Sequence, residues 1–122
     1  MMFTQQQLDY LASQRLGRIA TVHPHTGMPQ VSPVAFTVNA DTGTIDIGGR
    51  SMGSTRKFAN VAATGKAAFV IDDVVDADIW TVRGIEIRGT AEALEDVEPP
   101  TPYFSPEIIR IHPDRIIVWG LD

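Results

Sequence analysis

Cysteine is absent from the 122-residue chain, so disulfides are excluded and a cytoplasmic location is the default expectation. No apolar run approaches the roughly 20 residues that a membrane-spanning helix needs. The opening Met-Met-Phe-Thr-Gln-Gln-Gln lacks the basic region and apolar core of a secretory signal. Repeats and low-complexity segments are missing as well. Positive charge is scarce: 10 Lys and Arg stand against 15 Asp and Glu, a net charge of −5. That balance argues against a nucleic-acid partner, because phosphate contacts along a strand need a broad basic face. These absences leave a soluble globular domain, long enough to bury roughly 65% of its unfolded surface but too small for a large enclosed cavity. A sizeable ligand would therefore sit in a surface groove or between subunits.

Acid is missing from one place in particular: no Asp or Glu occurs anywhere in residues 47–71. Within that window, residues 48–57 (Gly-Gly-Arg-Ser-Met-Gly-Ser-Thr-Arg-Lys) join an apolar strand to a helix start. They set Arg50, Arg56 and Lys57 among glycines and hydroxyls. Helix N-termini present unpaired N–H groups and the positive end of the macrodipole, so an anion here would meet backbone donors and side-chain cations together. A Ser-capped amphipathic helix with a solvated basic first turn accounts for the same residues, and spacing alone leaves both readings open.

Thr4 and Gln7 form a capping box, with Phe3 and Leu8 as a hydrophobic staple, and predict a helix over 5–14 that keeps Leu8, Leu11 and Ala12 on one face. Strands are predicted over 17–22, 30–38 and 44–48, separated by turns rich in Gly, Pro, Asn and Asp. Links this short can join only antiparallel neighbours. A second helix is predicted over 54–63, with Phe58, Val61 and Ala62 as its stripe and Gly65 as a left-handed cap. A buried strand over 66–71 is followed by an acidic loop at 72–78. Residues 85–93 then alternate strictly, with Ile85, Ile87, Gly89, Ala91 and Ala93 on one side. An acidic, proline-rich loop over 95–106 precedes a last strand or strand pair over 108–119, bent at His112-Pro113-Asp114. Six strands and two short helices predict a mainly β single domain over 1–122, a small antiparallel barrel.

Gly49-Arg50-Ser51-Met52-Gly53 has the Gly-x-Ser-x-Gly form of a nucleophile elbow, and Asp residues and then His112 follow it in the order serine, acid, histidine. A serine hydrolase of that type needs a parallel sheet with crossover helices. The hairpins before the motif and the short chain weigh against it. His23, His25 and His112 lack metal-ligand spacing and read as solvated turn residues. The stretch 72–78 lacks the pattern of a calcium loop. Trp80 and Trp119 suit either a core or the face of a planar ligand.

Four segments carry a resemblance: Ser32-Pro33-Val34-Ala35-Phe36; Thr55-Arg56-Lys57 entering a helix with Phe58 and Asn60; Arg83-Gly84-Ile85-Glu86-Ile87-Arg88-Gly89; and the ending Arg110-Ile111-His112-Pro113 through Val118-Trp119-Gly120-Leu121. In this order and spacing the chain resembles the FMN-binding split-barrel superfamily of pyridoxamine 5'-phosphate oxidase-like proteins, over nearly its whole length. The first segment resembles the Ser-Pro-Val strand of the deazaflavin (coenzyme F420)-dependent branch, whose backbone lies along the isoalloxazine-type ring. The second resembles the Ser-Arg-Lys turn that holds the cofactor phosphate. The third resembles the strand that begins Arg-Gln-Val in the oxidases, and the fourth the closing strand. The resemblance implies a six-stranded antiparallel split barrel. It further implies a homodimer, with the cofactor in an interface groove contacted by both subunits. Cofactor contacts would come from Ser32, Pro33, Val34, Gly49, Arg50, Ser51, Thr55, Arg56, Lys57 and Arg83, with the phosphate end at Arg50, Ser51, Thr55, Arg56 and Lys57.

Departures from the family pattern bear on the cofactor. Ser32 stands where the oxidases carry an Arg that helps bind phosphate, so FMN would lose a contact. The chain stops soon after Trp119, without the extension that completes the pyridoxamine-phosphate pocket. Arg110-x-His112 echoes a substrate-binding pair of the oxidases, but its flanking proline differs and no role is carried over. The expectation is therefore a reductase that uses coenzyme F420 to pass a hydride to a conjugated or aromatic small-molecule acceptor. The cofactor would carry the hydride, so no side chain is assigned a catalytic role. An FMN-dependent oxidoreductase would share this fold, and a non-catalytic carrier of a flavin or other planar ligand would share the groove.

Overall fold

The computed structural model describes residues 2–121. Helix α1 (Gln5–Ser13) leads into strands β1 (Leu16–Val22), β2 (Pro29–Asn39) and β3 (Thr44–Gly48). A single 3-10 turn (Met52–Ser54) then precedes helix α2 (Arg56–Thr64) and strands β4 (Lys66–Asp76), β5 (Thr81–Leu94) and β6 (Ile108–Trp119). The strands close into a barrel in the order β1-β2-β3-β6-β5-β4, with every neighbouring pair antiparallel. Inward positions are overwhelmingly isoleucine: Ile19, Ile45, Ile47, Ile71, Ile85, Ile87, Ile109 and Ile111 are all essentially inaccessible. Each such side chain contributes about 1.5–3 kcal/mol by leaving water. The β-branched residues that favour a pleated strand are thus the ones that fill its interior.

The helices form for local reasons and then plug the barrel. Thr4 and Gln7 make the reciprocal capping box, with Gln7 N donating to Thr4 Oγ1 at 3.1 Å and Thr4 N to Gln7 Oε1 at 3.0 Å. Phe3, Tyr10 and Leu11 are buried beneath α1. In α2, Phe58 and Val61 face the core, and Gly65 ends the helix at φ 70° with its carbonyl accepting from Ala91 N at 2.8 Å. The cap of α2 is Thr55, not Ser54: the 3-10 turn absorbs Ser54, and Thr55 Oγ1 accepts from Phe58 N.

Two stretches differ from expectation, and the ending resolves to one of the two forms expected of it. Strand β4 runs through the predicted acidic loop to Asp76, and β5 begins at Thr81 rather than near 85. β4 leaves β1 after Val70 and β5 leaves β6 before Gly84, so from Asp73 and Arg83 outward the hairpin is a two-stranded arm off the barrel. With no core beneath it, the arm demands no apolar alternation. Its acids are accommodated instead by Arg18, 2.6 Å from Asp72, and Arg83, 2.8 Å from Asp73. The ending is one strand, bent where Arg88 pairs with Arg115 but Gly89 with Pro113, leaving Asp114 as the extra bulge residue. Pro113 is tolerated there because the ladder is already interrupted. Gly89 is required opposite it, since a Cβ would run into the His112 carbonyl.

Closure is incomplete at one point. The β2–β3 register spans only Ala35↔Gly48 to Asn39↔Thr44, whereas β2 pairs with β1 as far as Pro29. Past Ala35, toward Pro29, the β2 edge that faces away from β1 has no partner strand. The chain leaving β3 turns here into the basic segment.

Candidate functional site

Where β3 leaves β2, a depression of about 260 Å³ opens between the β2 edge and the turn that starts α2. Pro33, Val34, Gly49, Arg50, Ser51, Thr55 and Lys57 line it, so seven of the ten expected site residues meet there, together with Met52 and Phe104. Arg50 and Lys57 form no ion pair among the described residues. The amides of Arg56 and Lys57, the first two of α2, have no acceptor among the described residues, while that of Phe58 is taken by the cap. Two cations and two oriented N–H groups at a helix N-terminus are the donor set of an anion site.

The other three expected residues lie elsewhere. Arg56 is exposed, and its Nε donates to Asn60 Oδ1 at 2.9 Å. Asn60 is fully buried and donates in turn to Thr21 Oγ1 (3.1 Å) and Gln30 Oε1 (3.3 Å). This network ties α2 to β1 and β2 and fixes the direction of the Arg56 stem. Ser32 does not line the depression. Its Oγ is the one buried side-chain polar atom with no partner among the described residues. Arg83 lines a separate depression with Tyr10 and Gly120. It makes a two-point contact with Asp73 (2.8 and 3.1 Å), and its guanidinium carbon lies 4.9 Å from the centre of the Tyr10 ring. The Arg83 hydrogen bonds, reinforced by that of Tyr10, hold the Asp73 carboxyl below its ordinary value. Thr55 is also partly committed, since its hydroxyl donates to Met52 O at 2.7 Å while capping α2.

A second lobe of about 260 Å³ continues the groove and shares Ala35, Gly48 and Phe104 with the first. Its walls include Phe36, Val97, Pro100 and Ile108, and its floor is the pair Asp46–Arg110. Arg110 Nε and Nη2 donate to Asp46 at 3.0 and 3.1 Å; Asn39 Nδ2 (3.0 Å) and Thr44 Oγ1 (2.9 Å) donate as well. Burial alone would raise the Asp46 carboxyl, but the bonds from Arg110, Asn39 and Thr44 outweigh it and leave it below its usual value. Each lobe is smaller than the roughly 300–1,000 Å³ of typical small-molecule sites. A flavin-sized ligand would need both, or a wall from a second chain.

Sequence reasoning missed residues 95–107, the connection that delivers Phe104 to the groove. Ser105 N donates to Gly49 O (2.9 Å), Ser105 Oγ accepts from Met52 N (3.0 Å), and Glu107 Oε1 accepts from Gly53 N (3.0 Å). The loop therefore clamps the basic turn from more than fifty residues away. The aromatic pair Tyr103-Phe104 inside a polar, proline-rich segment was its only signal.

The nucleophile-elbow reading has no support in this geometry. Ser51 follows an antiparallel strand, and His112 sits in the β5–β6 ladder with Nε2 2.5 Å from Glu92. His23 Nδ1 accepts from the amides of His25 and Thr26 at 3.2 Å, a turn-stabilising role.

Residues 3–119 match the family described as pyridoxamine 5'-phosphate oxidase. The chain belongs to that family. It is 47% identical over 128 residues to the 5a,11a-dehydrotetracycline/5a,11a-dehydrooxytetracycline reductase of Streptomyces rimosus, covering 100% of this chain and 86% of that protein. Among solved structures, a conserved hypothetical protein from Mycobacterium tuberculosis superposes with a TM-score of 0.76 at 22% identity, covering 99% of this chain and 86% of that one. The FAD binding protein from Mycobacterium smegmatis gives 0.68 at 22% identity, covering 96% and 94%. These structural likenesses show the family's split-barrel fold.

Proposed function

We propose that the protein is a homodimeric reductase that binds coenzyme F420 in the two-lobed groove and reduces a conjugated small-molecule acceptor. The observation that carries this reading is the anion site of Arg50, Lys57 and the α2 amides, set directly beside the unpaired β2 edge. The residues present fit a phosphate-bearing flavin or deazaflavin. The anion end has its donors, the open strand edge offers backbone groups to a flat ring, and the orphaned Ser32 hydroxyl stands next to Pro33 without a partner. The FAD-binding neighbour supports a ring cofactor of this class. The reductase from Streptomyces rimosus supports reduction as the reaction and makes a dehydrotetracycline the first acceptor to try.

A reduced deazaflavin, when bound, supplies the hydride. The chain's own residues do the rest by position. Arg50 and Lys57 bind the phosphate end through charge-assisted hydrogen bonds. The Pro33–Val34 edge orients the ring, and Phe36 and Phe104 exclude water from the second lobe. A second copy completes the groove. Leu16 on β1, Met28 in the turn before β2 and Val31 on β2 are 59%, 66% and 68% exposed, apolar side chains suited to burial between protomers. Because Arg83 lies away from its own chain's groove, its contact is assigned to the groove of the second copy.

Titration with coenzyme F420 and FMN in parallel, read by fluorescence and absorbance, tests the site. Micromolar and selective binding of coenzyme F420 is expected. Lys57→Ala should weaken it by about 1.5–3 kcal/mol, roughly 10- to 150-fold. Preference for FMN would move the protein to flavin chemistry in the same groove, and no binding of either would withdraw the oxidoreductase reading. Sedimentation velocity should report a dimer, and a monomer at working concentrations would remove the second wall.

A further inference from the structure

The basic turn is free of acid in sequence but not in space. Glu107, at the end of the 95–107 loop, accepts a hydrogen bond from Gly53 N through Oε1 at 3.0 Å. The approach is close: a Cβ on Gly53 would stand 2.7 Å from that oxygen and would displace the Glu107 side chain. The carboxylate has no other hydrogen bond and no ion pair among the described residues. Arg50 on the same turn and Lys57 on the helix it leads into likewise have no carboxylate partner among the described residues. A neutral acceptor would hold the Gly53 amide equally well. What the carboxylate adds is a negative charge held on the turn whose Arg50, Ser51, Met52 and Thr55 line the anion site.

Resting on the groove as the cofactor's phosphate site, we propose that Glu107 is a specificity-determining residue that disfavours phosphomonoester dianions relative to phosphodiester monoanions. The energy of a fixed charge acting on a ligand scales with the ligand's own charge. A terminal phosphomonoester carries nearly two negative charges at neutral pH and a phosphodiester one. The repulsion from Glu107 is therefore about twice as large, in free energy, against the monoester. Arg50, Lys57 and the α2 amides attract both kinds of ligand, while Glu107 tells them apart. Ser105 holds the same turn without charge and cannot discriminate.

Two probes that differ by a single charge test this: FMN and its 5'-methyl phosphodiester, which share ring and ribityl chain. Affinities are measured by fluorescence titration at fixed ionic strength for the wild type, Glu107→Gln, Glu107→Ala and Lys57→Ala. Glu107→Gln keeps an acceptor for Gly53 and is expected to tighten the diester by about threefold and FMN by about tenfold. Glu107→Ala, which loses the Gly53 bond, should gain less for both probes. Equal effects of Glu107→Gln on the two probes, or none, would overturn the proposal while a weakened Lys57→Ala leaves the phosphate site standing. A merely structural Glu107 would show itself as an inert Gln variant beside a weakened Ala variant. If both flavin probes fail to bind the wild type and Glu107→Gln while coenzyme F420 binds, this proposal is overturned and the phosphate site stands; if coenzyme F420 fails to bind as well, or Lys57→Ala binds both probes as the wild type does, the site reading fails and takes this one with it.

Discussion

Asp46→Asn should destabilise the protein by about 2–3 kcal/mol at pH 7, and that difference should narrow as pH falls through the acid range. Asp46 accepts four hydrogen bonds, two from Arg110 and one each from Asn39 and Thr44. The side chains of Asp46 and Arg110 are 13% and 21% exposed. Breaking a fully buried pair costs about 3–5 kcal/mol, because the surviving charge is stranded, and the residual exposure of this one brings the figure down to about 2–3. Asn also turns one accepting oxygen into a donor facing other donors. The pH dependence follows from the direction of the shift. The folded carboxyl lies below its unfolded value, so its stabilisation is complete above about pH 4 and drains away as pH falls through the lower folded value. Asp73 and Glu86, each lowered chiefly by hydrogen bonds from Arg83 and Arg88, lose stabilisation in the same acid range. They do so in both proteins, so the difference between wild type and variant isolates Asp46. Urea unfolding from pH 7 to pH 2 measures it; at pH 7 the expected loss corresponds to roughly 8–12 °C in Tm. A gap that stays fully open at pH 2 would show that packing, not charge, carries the effect. A gap below about 0.5 kcal/mol at pH 7 would show that solvent already screens the pair.

Asn60→Ala leaves Thr21, Gln30 and Arg56 without their common partner and should cost about 2–3 kcal/mol in chemical denaturation, so an unchanged midpoint would refute the network's role. Gly89→Ala drives a Cβ into the His112 carbonyl at the β6 bulge. It should lower stability by about 3 kcal/mol or more, and a folded variant with a wild-type melting curve would mean the bulge is soft. Ser32→Ala removes an unpartnered buried hydroxyl. The ligand-free protein should become up to about 1 kcal/mol more stable. Lower ligand-free stability would instead reveal a partner for that hydroxyl.

Elements whose patterns are local were legible before the fold was known. The capping box at Thr4 and Gln7, Phe58 and Val61 of the α2 stripe and the alternation from Ile85 to Ala93 appear as expected, because a helix end or a half-buried strand imposes its period on adjacent residues; Ala62, expected in the stripe, is exposed, and Asn60 is buried in its stead. The short turns after β1 and β2 gave antiparallel neighbours for the same reason. The arm of β4 and β5 was not legible. Its faces are both wet, so nothing in its composition separates it from a loop until a partner strand is seen beside it.

At the site, the chain's own order determined that Arg50, Ser51, Thr55 and Lys57 would stand together between a strand and a helix, since all lie within eight residues. Which face they share, and with whom, was decided only in three dimensions. Barrel closure brings Pro33 and Val34 alongside them, and β6 carries Arg110 to Asp46 across 64 residues. The 95–107 loop returns Phe104, Ser105 and Glu107 to a turn that the sequence shows as free of acid. Backbone hydrogen bonding and side-chain period act over a few residues and can be read from the string. Charge and close packing act through space, where the partner is whatever the closed barrel has placed a few ångströms away.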